Sequence, residues 1–89
     1  MKEVKMFMFE GCPHCKRALE MKKELLAAHP EYNAVPFVTV DEKLHPEEAE
    51  KYDYYYVPSF FVGGEKLAEG VPTEEAIAKV FRTAYESKA

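Results

Sequence analysis

No stretch of the sequence approaches the roughly 18 consecutive apolar residues that a membrane-spanning helix needs. The first apolar run follows Lys5 and ends at Glu10, and it is too short and too interrupted for the hydrophobic region of a secretory signal. Internal repeats and low-complexity tracts are also lacking. These absences argue against a membrane partner and predict a cytoplasmic protein.

The sequence also has fewer basic than acidic residues. The chain carries 12 Lys or Arg against 16 Asp or Glu, a formal net charge of -4, which argues against a nucleic-acid partner. The length predicts a single domain over residues 1–89, which we expect to be monomeric. Residues 1–30, which contain both cysteines, hold six Lys or Arg and only four Asp or Glu. The cysteine pair therefore lies in the basic third of an acidic chain, a feature that a solvated helix face explains as well as a functional role does.

Cysteine is limited to two residues, Cys12 and Cys15. In a reducing compartment such a pair is typical of a catalytic or metal-binding site rather than of a structural disulfide. A structural zinc site needs four ligands, and the other candidates are His14, His29 and His45. Because His29 lies about four turns along the predicted helix, it is too far away to join them. We therefore predict no metal site, and a static disulfide or a buried pair is the structural alternative.

Apolar periodicity and turn residues predict the element order β-α-β-α-β-β-α. The strands are predicted at Val4–Phe9, Val35–Val40, Ser59–Val62 and Glu65–Glu69. The helices are predicted from Cys12-Pro13 to His29, over Pro46–Tyr52, and after the cap residue Thr73, with Ala76, Ile77, Val80, Phe81 and Ala84 on the inner face of the last helix. This alternation indicates an α/β domain in which three helices cover a four-stranded sheet. The sheet should be mixed, because the first two strands are joined by a helix and the last two by a Gly63-Gly64 hairpin.

The segment Cys12-Pro13-His14-Cys15 follows a predicted strand and opens a helix. Pro13 suits the first helical position, because its missing N–H would have no helical partner there. The unpaired backbone N–H groups and the helix dipole favour a thiolate at the helix start. The spacing of three residues stacks both sulfurs on one helix face, close enough to form a disulfide. We expect Cys12 to be exposed and to attack, and Cys15 to be more buried and to resolve the mixed disulfide.

Two segments resemble a known family. The stretch from Gly11 to Ala18 (GCPHCKRA) resembles the glutaredoxin active-site segment, in which Tyr usually occupies the position of His14. The stretch from Val57 to Gly64 (VPSFFVGG) resembles the cis-proline segment of the thioredoxin superfamily. The resemblance implies a thioredoxin-like fold of glutaredoxin size and a thiol–disulfide oxidoreductase. It also implies a cis Val57–Pro58 bond beside the sulfurs, with the Val57 backbone pairing with an extended substrate.

The sequence departs from the glutaredoxin pattern where glutathione binds. Glutaredoxins usually carry Lys or Arg three residues before the first cysteine, and Phe9 occupies that place here. Their Gly-Gly-x-Asp-Asp-like stretch is replaced by residues 70–74 (GVPTE), in which Gly70, Thr73 and Glu74 can take over part of the substrate binding. These departures predict weak glutathione binding and favour a thioredoxin-reductase-type donor over glutathione.

Other departures concern the two cysteines. The Pro13-His14 pair resembles that of the periplasmic disulfide-forming oxidases of the superfamily. The buried acid that thioredoxins carry in the first strand is absent, and Met6 and Met8 lie near its place. We expect both methionines to belong to the core.

Three functional hypotheses follow. The first is an enzyme with no built-in cofactor that exchanges its dithiol with disulfide-containing proteins or small disulfides, and that glutathione or a reductase reduces again. The second is a non-catalytic module that binds extended peptides around Val57 and Pro58. The third is a dimer that bridges an iron–sulfur cluster through Cys12 and glutathione, which Pro13 and the weak glutathione signature disfavour.

Overall fold

The computed structural model describes residues 1–87, and the predicted order of strands and helices is confirmed. The strands are β1 (Val4–Met8), β2 (Phe37–Asp41), β3 (Ser59–Val62) and β4 (Glu65–Glu69), and the α-helices are α1 (Pro13–Ala28), α2 (Pro46–Ala49) and α3 (Glu74–Glu86). A short 3-10 helix, which the sequence did not predict, occupies Pro30–Ala34. No helix within residues 1–87 has both the length and the apolar character needed to cross a membrane.

The four strands form one sheet in the order β2-β1-β3-β4. The sheet is mixed, as the sequence predicted. Strand β1 runs parallel to β2, with Met8 opposite Asp41. It runs antiparallel to β3, with Phe7 opposite Ser59. Because β1 ends at the edge where β3 begins, the residues after Met8 and those before Ser59 lie side by side. This register brings the cysteine segment and the proline segment to the same edge of the sheet.

Side chains alternate along β1 between the two faces of the sheet. Val4 and Met6 are fully buried in the larger core cluster, which also contains both cysteines and the inner face of α3. Phe7 lies in a smaller cluster with Val40 and Phe61. Half-buried Met8 packs against the larger cluster, so both methionines contribute to the core.

Two predicted boundaries differ from the structure by more than one residue, and each has a local cause. Strand β2 begins at Phe37 instead of Val35, because Pro36 has no N–H to donate and only its carbonyl pairs, with the N–H of Val4 at 2.9 Å. Helix α2 ends at Ala49 instead of Tyr52, because the N–H groups of Lys51 and Tyr52 donate to carbonyls three residues back and form tight turns.

The other differences are smaller. Strand β1 ends at Met8, one residue before the predicted Phe9. Helix α1 ends at Ala28, one residue before His29, which is the C-terminal cap and leads into Pro30.

Candidate active site

A sharp turn connects β1 to α1 and positions Cys12. Gly11 adopts φ +90°, a conformation that residues with a Cβ rarely take. Cys12 then takes an extended conformation as the N-cap of α1, and Pro13 opens the helix. The Sγ of Cys12 accepts a hydrogen bond from the backbone N–H of Cys15 at 3.2 Å. A sulfur atom therefore occupies the position in which serine or aspartate usually caps a helix, and the same donor stabilises a thiolate there.

Both cysteines are unpaired thiols and both are buried. The prediction that Cys12 is exposed is wrong, since only 6% of it is accessible, against 1% of Cys15. The capping geometry directs the sulfur of Cys12 back toward the first turn of α1, where it joins the larger core cluster. Cys12 nevertheless remains the more accessible of the two. Pro13 and His14, between the cysteines, are both exposed.

The two thiols differ electrostatically as well. Burial, together with the hydrogen bond to Cys12, raises the pKa of Cys15 to about 12. A hydrogen bond from the Phe9 backbone acts in the opposite direction, and the negative charge of Glu42 adds a small further increase in the pKa. Cys15 is therefore a protonated thiol at neutral pH.

The proline segment reaches the cysteines through the register of β3. Since Ser59 pairs with Phe7, Pro58 lies at the level of Met8. The Val57–Pro58 bond is cis, as predicted. Pro58 is buried, and half-buried Val57 packs against the cluster that contains Cys12 and Cys15. The structure thus brings the cysteine pair together with Val57 and Pro58, two of the residues that the resemblance assigned to substrate binding.

Gly70 contacts the proline segment, whereas Thr73 caps a helix outside the cavity beside that segment. The N–H of Gly70 donates to the carbonyl of Pro58 at 3.0 Å, so Gly70 lies against the proline segment. The hydroxyl of Thr73 accepts a hydrogen bond from the N–H of Ala76 at 3.1 Å and caps α3. A small cavity of about 160 Å³ beside Pro58 is lined by Gly70 but not by Thr73.

The sequence did not predict a role for Glu69. Its Oε2 accepts hydrogen bonds from the backbone N–H groups of Tyr55 and of Tyr56, the latter at 2.9 Å. Its Oε1 accepts from Lys66 Nζ at 2.8 Å. The Lys66 hydrogen bond, followed by the two backbone N–H groups, lowers the pKa of Glu69 to about 2. Nothing local in the sequence marks this contact, because it joins β4 to a loop 13 residues earlier.

A second feature that the sequence did not predict is a cation beside Phe9. Lys43 Nζ lies 4.1 Å from the centre of the Phe9 ring. Lys43 is positioned by Asp41, whose carboxylate accepts hydrogen bonds from the N–H groups of Lys43, Leu44 and Glu10. Burial raises the pKa of Asp41, but these hydrogen bonds outweigh burial and lower the pKa overall. A lysine from the loop after β2 therefore supplies a positive charge near the position where glutaredoxins carry a basic residue.

The fold and the paired cysteines at a strand-to-helix turn define a thioredoxin-fold protein with a dithiol site. A family model described as a thioredoxin domain matches residues 2–82. The chain is 30% identical over 80 residues to a thioredoxin of Methanocaldococcus jannaschii, covering 90% of this chain and 92% of that one. The chain belongs to the thioredoxin domain family, and the predicted membership of the thioredoxin superfamily is confirmed.

Solved structures agree with this fold. The oxidised thioredoxin of Plasmodium falciparum matches with a TM-score of 0.70 at 22% identity, covering 92% of this chain and 79% of that chain. Thioredoxin O2 of Arabidopsis thaliana, in its oxidised state, matches with a TM-score of 0.61 at 24% identity, covering 97% of this chain and 76% of that chain. At these identities the likeness shows the fold alone.

Proposed function

We propose that this protein is a thiol–disulfide oxidoreductase that reduces disulfides in other proteins through Cys12 and Cys15. The observation that carries the proposal is the asymmetry of the pair. Cys12 receives a backbone hydrogen bond at the start of a helix, whereas Cys15 is buried and its pKa is raised to about 12. In this proposal Cys12 is the attacking sulfur, and Cys15 stays a protonated thiol until the second step.

The exchange proceeds in two steps. The Cys12 thiolate attacks one sulfur of the substrate disulfide, so that a mixed disulfide forms and the other substrate sulfur leaves as a thiolate. Once Cys12 is in the mixed disulfide, its thiolate no longer opposes ionisation of Cys15. The departing thiolate can take the Cys15 proton, and Cys15 then displaces the substrate from Cys12. Two electrons and the Cys15 proton pass from the protein to the substrate, the second substrate thiolate takes a proton from water, and a Cys12–Cys15 disulfide remains.

The substrate in this proposal is a disulfide in an extended protein segment. The Val57 backbone lies at the edge of the sheet beside the cysteine pair, where it can pair with such a segment. The proposal places the protein in the cytoplasm, where a donor must return it to the dithiol state. We propose a thioredoxin-reductase-type donor rather than glutathione, because Phe9 and residues 70–74 lack the charged donors of a glutathione site.

The reduction of insulin by dithiothreitol tests the enzyme. The wild-type protein should accelerate the reaction, and Cys12→Ser should abolish the acceleration. A Tyr85→Ala variant, which changes an exposed side chain in the last turn of α3, is the matched control and should retain it. Binding of insulin chains without any acceleration would instead support a non-catalytic peptide-binding module.

The donor is tested in a coupled assay with NADPH. One arm contains a thioredoxin reductase, and the other contains glutathione and glutathione reductase. We expect faster turnover in the first arm. Fast turnover with glutathione and none with the thioredoxin reductase would reverse the assignment, and Lys43 would then be the first residue to substitute, because it is the cation nearest to Phe9.

A further inference from the structure

Two tyrosines beside the proline segment are unusually exposed. The exposed fractions of Tyr55 and Tyr56 are 81% and 69%, whereas the neighbouring Tyr54 is half-buried and stacks on Phe7. Large apolar side chains that remain exposed together often mark a binding surface. Tyr56 immediately precedes Val57, so this pair, which we call the aromatic platform, is continuous with the proposed substrate site.

The backbone under the aromatic platform is firmly held although its rings are not. Glu69 accepts hydrogen bonds from both platform N–H groups. On the other side of the peptide chain, the hydroxyl of Ser59 donates to the carbonyl of Tyr56. The conformational entropy of this segment is therefore already lost before a partner binds, which favours binding. The two rings themselves bury little surface in the folded protein.

The carboxylate that anchors the aromatic platform is itself paired with a cation. The Glu69 carboxylate that holds the backbone also pairs with Lys66, with Nζ and Oε1 2.8 Å apart. A partner therefore meets two exposed aromatic rings on a segment whose anchoring carboxylate is already neutralised. Such a surface suits apolar or aromatic side chains of a polypeptide rather than a small charged disulfide.

We propose that Tyr55 and Tyr56 bind the polypeptide that flanks a substrate disulfide, that Glu69 is the positioning residue that holds them, and that this platform selects protein disulfides over small ones. The inference rests on the proposed exchange at Cys12 and Cys15 and specifies its substrate class. The partner is an extended segment with an apolar or aromatic residue next to its cysteine. Tyrosine is well suited to this task, because it offers a large contact area with few rotatable bonds.

The first test compares two substrates. The kcat/KM for insulin and for hydroxyethyl disulfide is measured for the wild-type protein, Tyr55→Ala/Tyr56→Ala, Glu69→Ala and Glu69→Gln. We expect the ratio of the two values to fall at least about tenfold in the double tyrosine variant, since the loss of a single interface hot spot typically costs more than that. Tyr85→Ala, which removes an exposed tyrosine from the last turn of α3, next to the start of β1 and at the opposite end of the sheet, should leave the ratio unchanged.

The role of Glu69 is tested by measuring KM and kcat for insulin separately in Glu69 variants. Glu69→Ala should raise KM for insulin with little change in kcat, because it loosens the surface that binds the substrate and not the sulfurs. Glu69→Gln should recover part of the loss, since its amide oxygen can still accept the backbone hydrogen bonds. Equal losses for both substrates, or no rescue by glutamine, would show that Glu69 serves only the stability of the fold.

A binding arm separates the platform from the redox activity. Isothermal titration measures the affinity of Cys12→Ser/Cys15→Ser protein for insulin B chain whose cysteines have been carbamidomethylated. The affinity should fall on addition of Tyr55→Ala/Tyr56→Ala, and an unchanged affinity would overturn the platform. If the wild-type protein reduces neither disulfide, the proposed exchange fails, and this arm still decides whether the platform binds polypeptides.

Discussion

Cys12 and Cys15 differ in their position relative to α1, in their exposure and in the pKa of Cys15. Cys12 caps the helix and is 6% exposed, whereas Cys15 lies within the first turn and is 1% exposed. Cys15 also has its pKa raised to about 12, first by burial. Because only the thiolate is nucleophilic, these differences act in the same direction and assign the attack to Cys12.

Alkylation checks this assignment. With limiting iodoacetamide at pH 7, we expect the reduced protein to be labelled at Cys12 at least about tenfold faster than at Cys15, and peptide mass spectrometry distinguishes the two sites. Cys15→Ser should accumulate a mixed disulfide with a protein substrate, whereas Cys12→Ser should not. Faster labelling of Cys15 would reverse the order of the two sulfurs.

His14 is the residue that sets this dithiol apart from the Tyr usual in glutaredoxins. It is exposed on the first turn of α1, between the two cysteines. An imidazole beside a thiolate stabilises the reduced form more than a phenol does, and this raises the reduction potential.

We therefore expect His14→Tyr to lower the potential of the Cys12–Cys15 couple by on the order of 30 mV, which corresponds to about 1.4 kcal/mol for two electrons. The potential is measured by equilibration with glutathione redox buffers. His29→Tyr, at the far end of α1, should leave it unchanged. A potential that stays constant or rises in His14→Tyr would contradict the effect.

At the scale of elements, local chemistry explains which predictions succeeded. The bounds of β3 and β4 were predicted correctly, because the intervening Gly63 and Gly64, with φ +57° and +87°, specify a tight hairpin. Pro13 and the spacing of the cysteines likewise located the start of α1. In each case the signal lies within a few residues of the feature that it predicts.

Features that depend on contacts between distant segments could not be predicted in this way. The burial of Cys12 follows from its packing into a core built by β1, β3 and α3. The contacts of Glu69 with Tyr55 and Tyr56 require the register of β4 against β3 and the course of the preceding loop. The position of Lys43 over Phe9 depends on the pairing of β2 with β1.

The start of α3 provides a test at this scale. Thr73 Oγ1 accepts the N–H of Ala76, as the sequence predicted for a cap. We expect Thr73→Ala to reduce the free energy of unfolding by about 1 kcal/mol. For a domain of this size that corresponds to a decrease in Tm of about 4–8 °C. Thermal unfolding followed by circular dichroism measures it, and Thr73→Ser should retain most of the stability. A Thr73→Ala protein as stable as the wild type would show that the cap contributes nothing.

At the scale of the whole molecule, two carboxylates connect segments that are distant along the chain. Asp41 joins the loop before Cys12 to the loop after β2, and Glu69 joins β4 to the loop before Pro58. The loop before Cys12 and the loop before Pro58 both border the cysteine pair. Both carboxylates act through backbone N–H groups, so they must be ionised to bind strongly. The two sides of the site are therefore held by groups of the same kind.

The acid dependence of stability follows from these two groups. The pKa of Glu69 is lowered from 4.5 to about 2, mainly by Lys66 and the two backbone N–H groups, and the pKa of Asp41 is lowered in the same direction. Below pH 4.5 the unfolded chain takes up protons that the folded protein does not, so the free energy of unfolding decreases as the pH falls. The stabilisation by Glu69 is therefore complete above pH 4.5 and is lost as the pH falls toward 2.

We expect the urea midpoint to fall progressively over this interval, and Glu69→Gln, which cannot titrate, to show a shallower fall than the wild-type protein. Glu47→Gln, at an exposed position whose carboxylate lies 3.5 Å from His45, is the matched control and should follow the wild-type curve. Parallel curves for Glu69→Gln and the wild type would show that Glu69 gains no stabilisation from its ionised form.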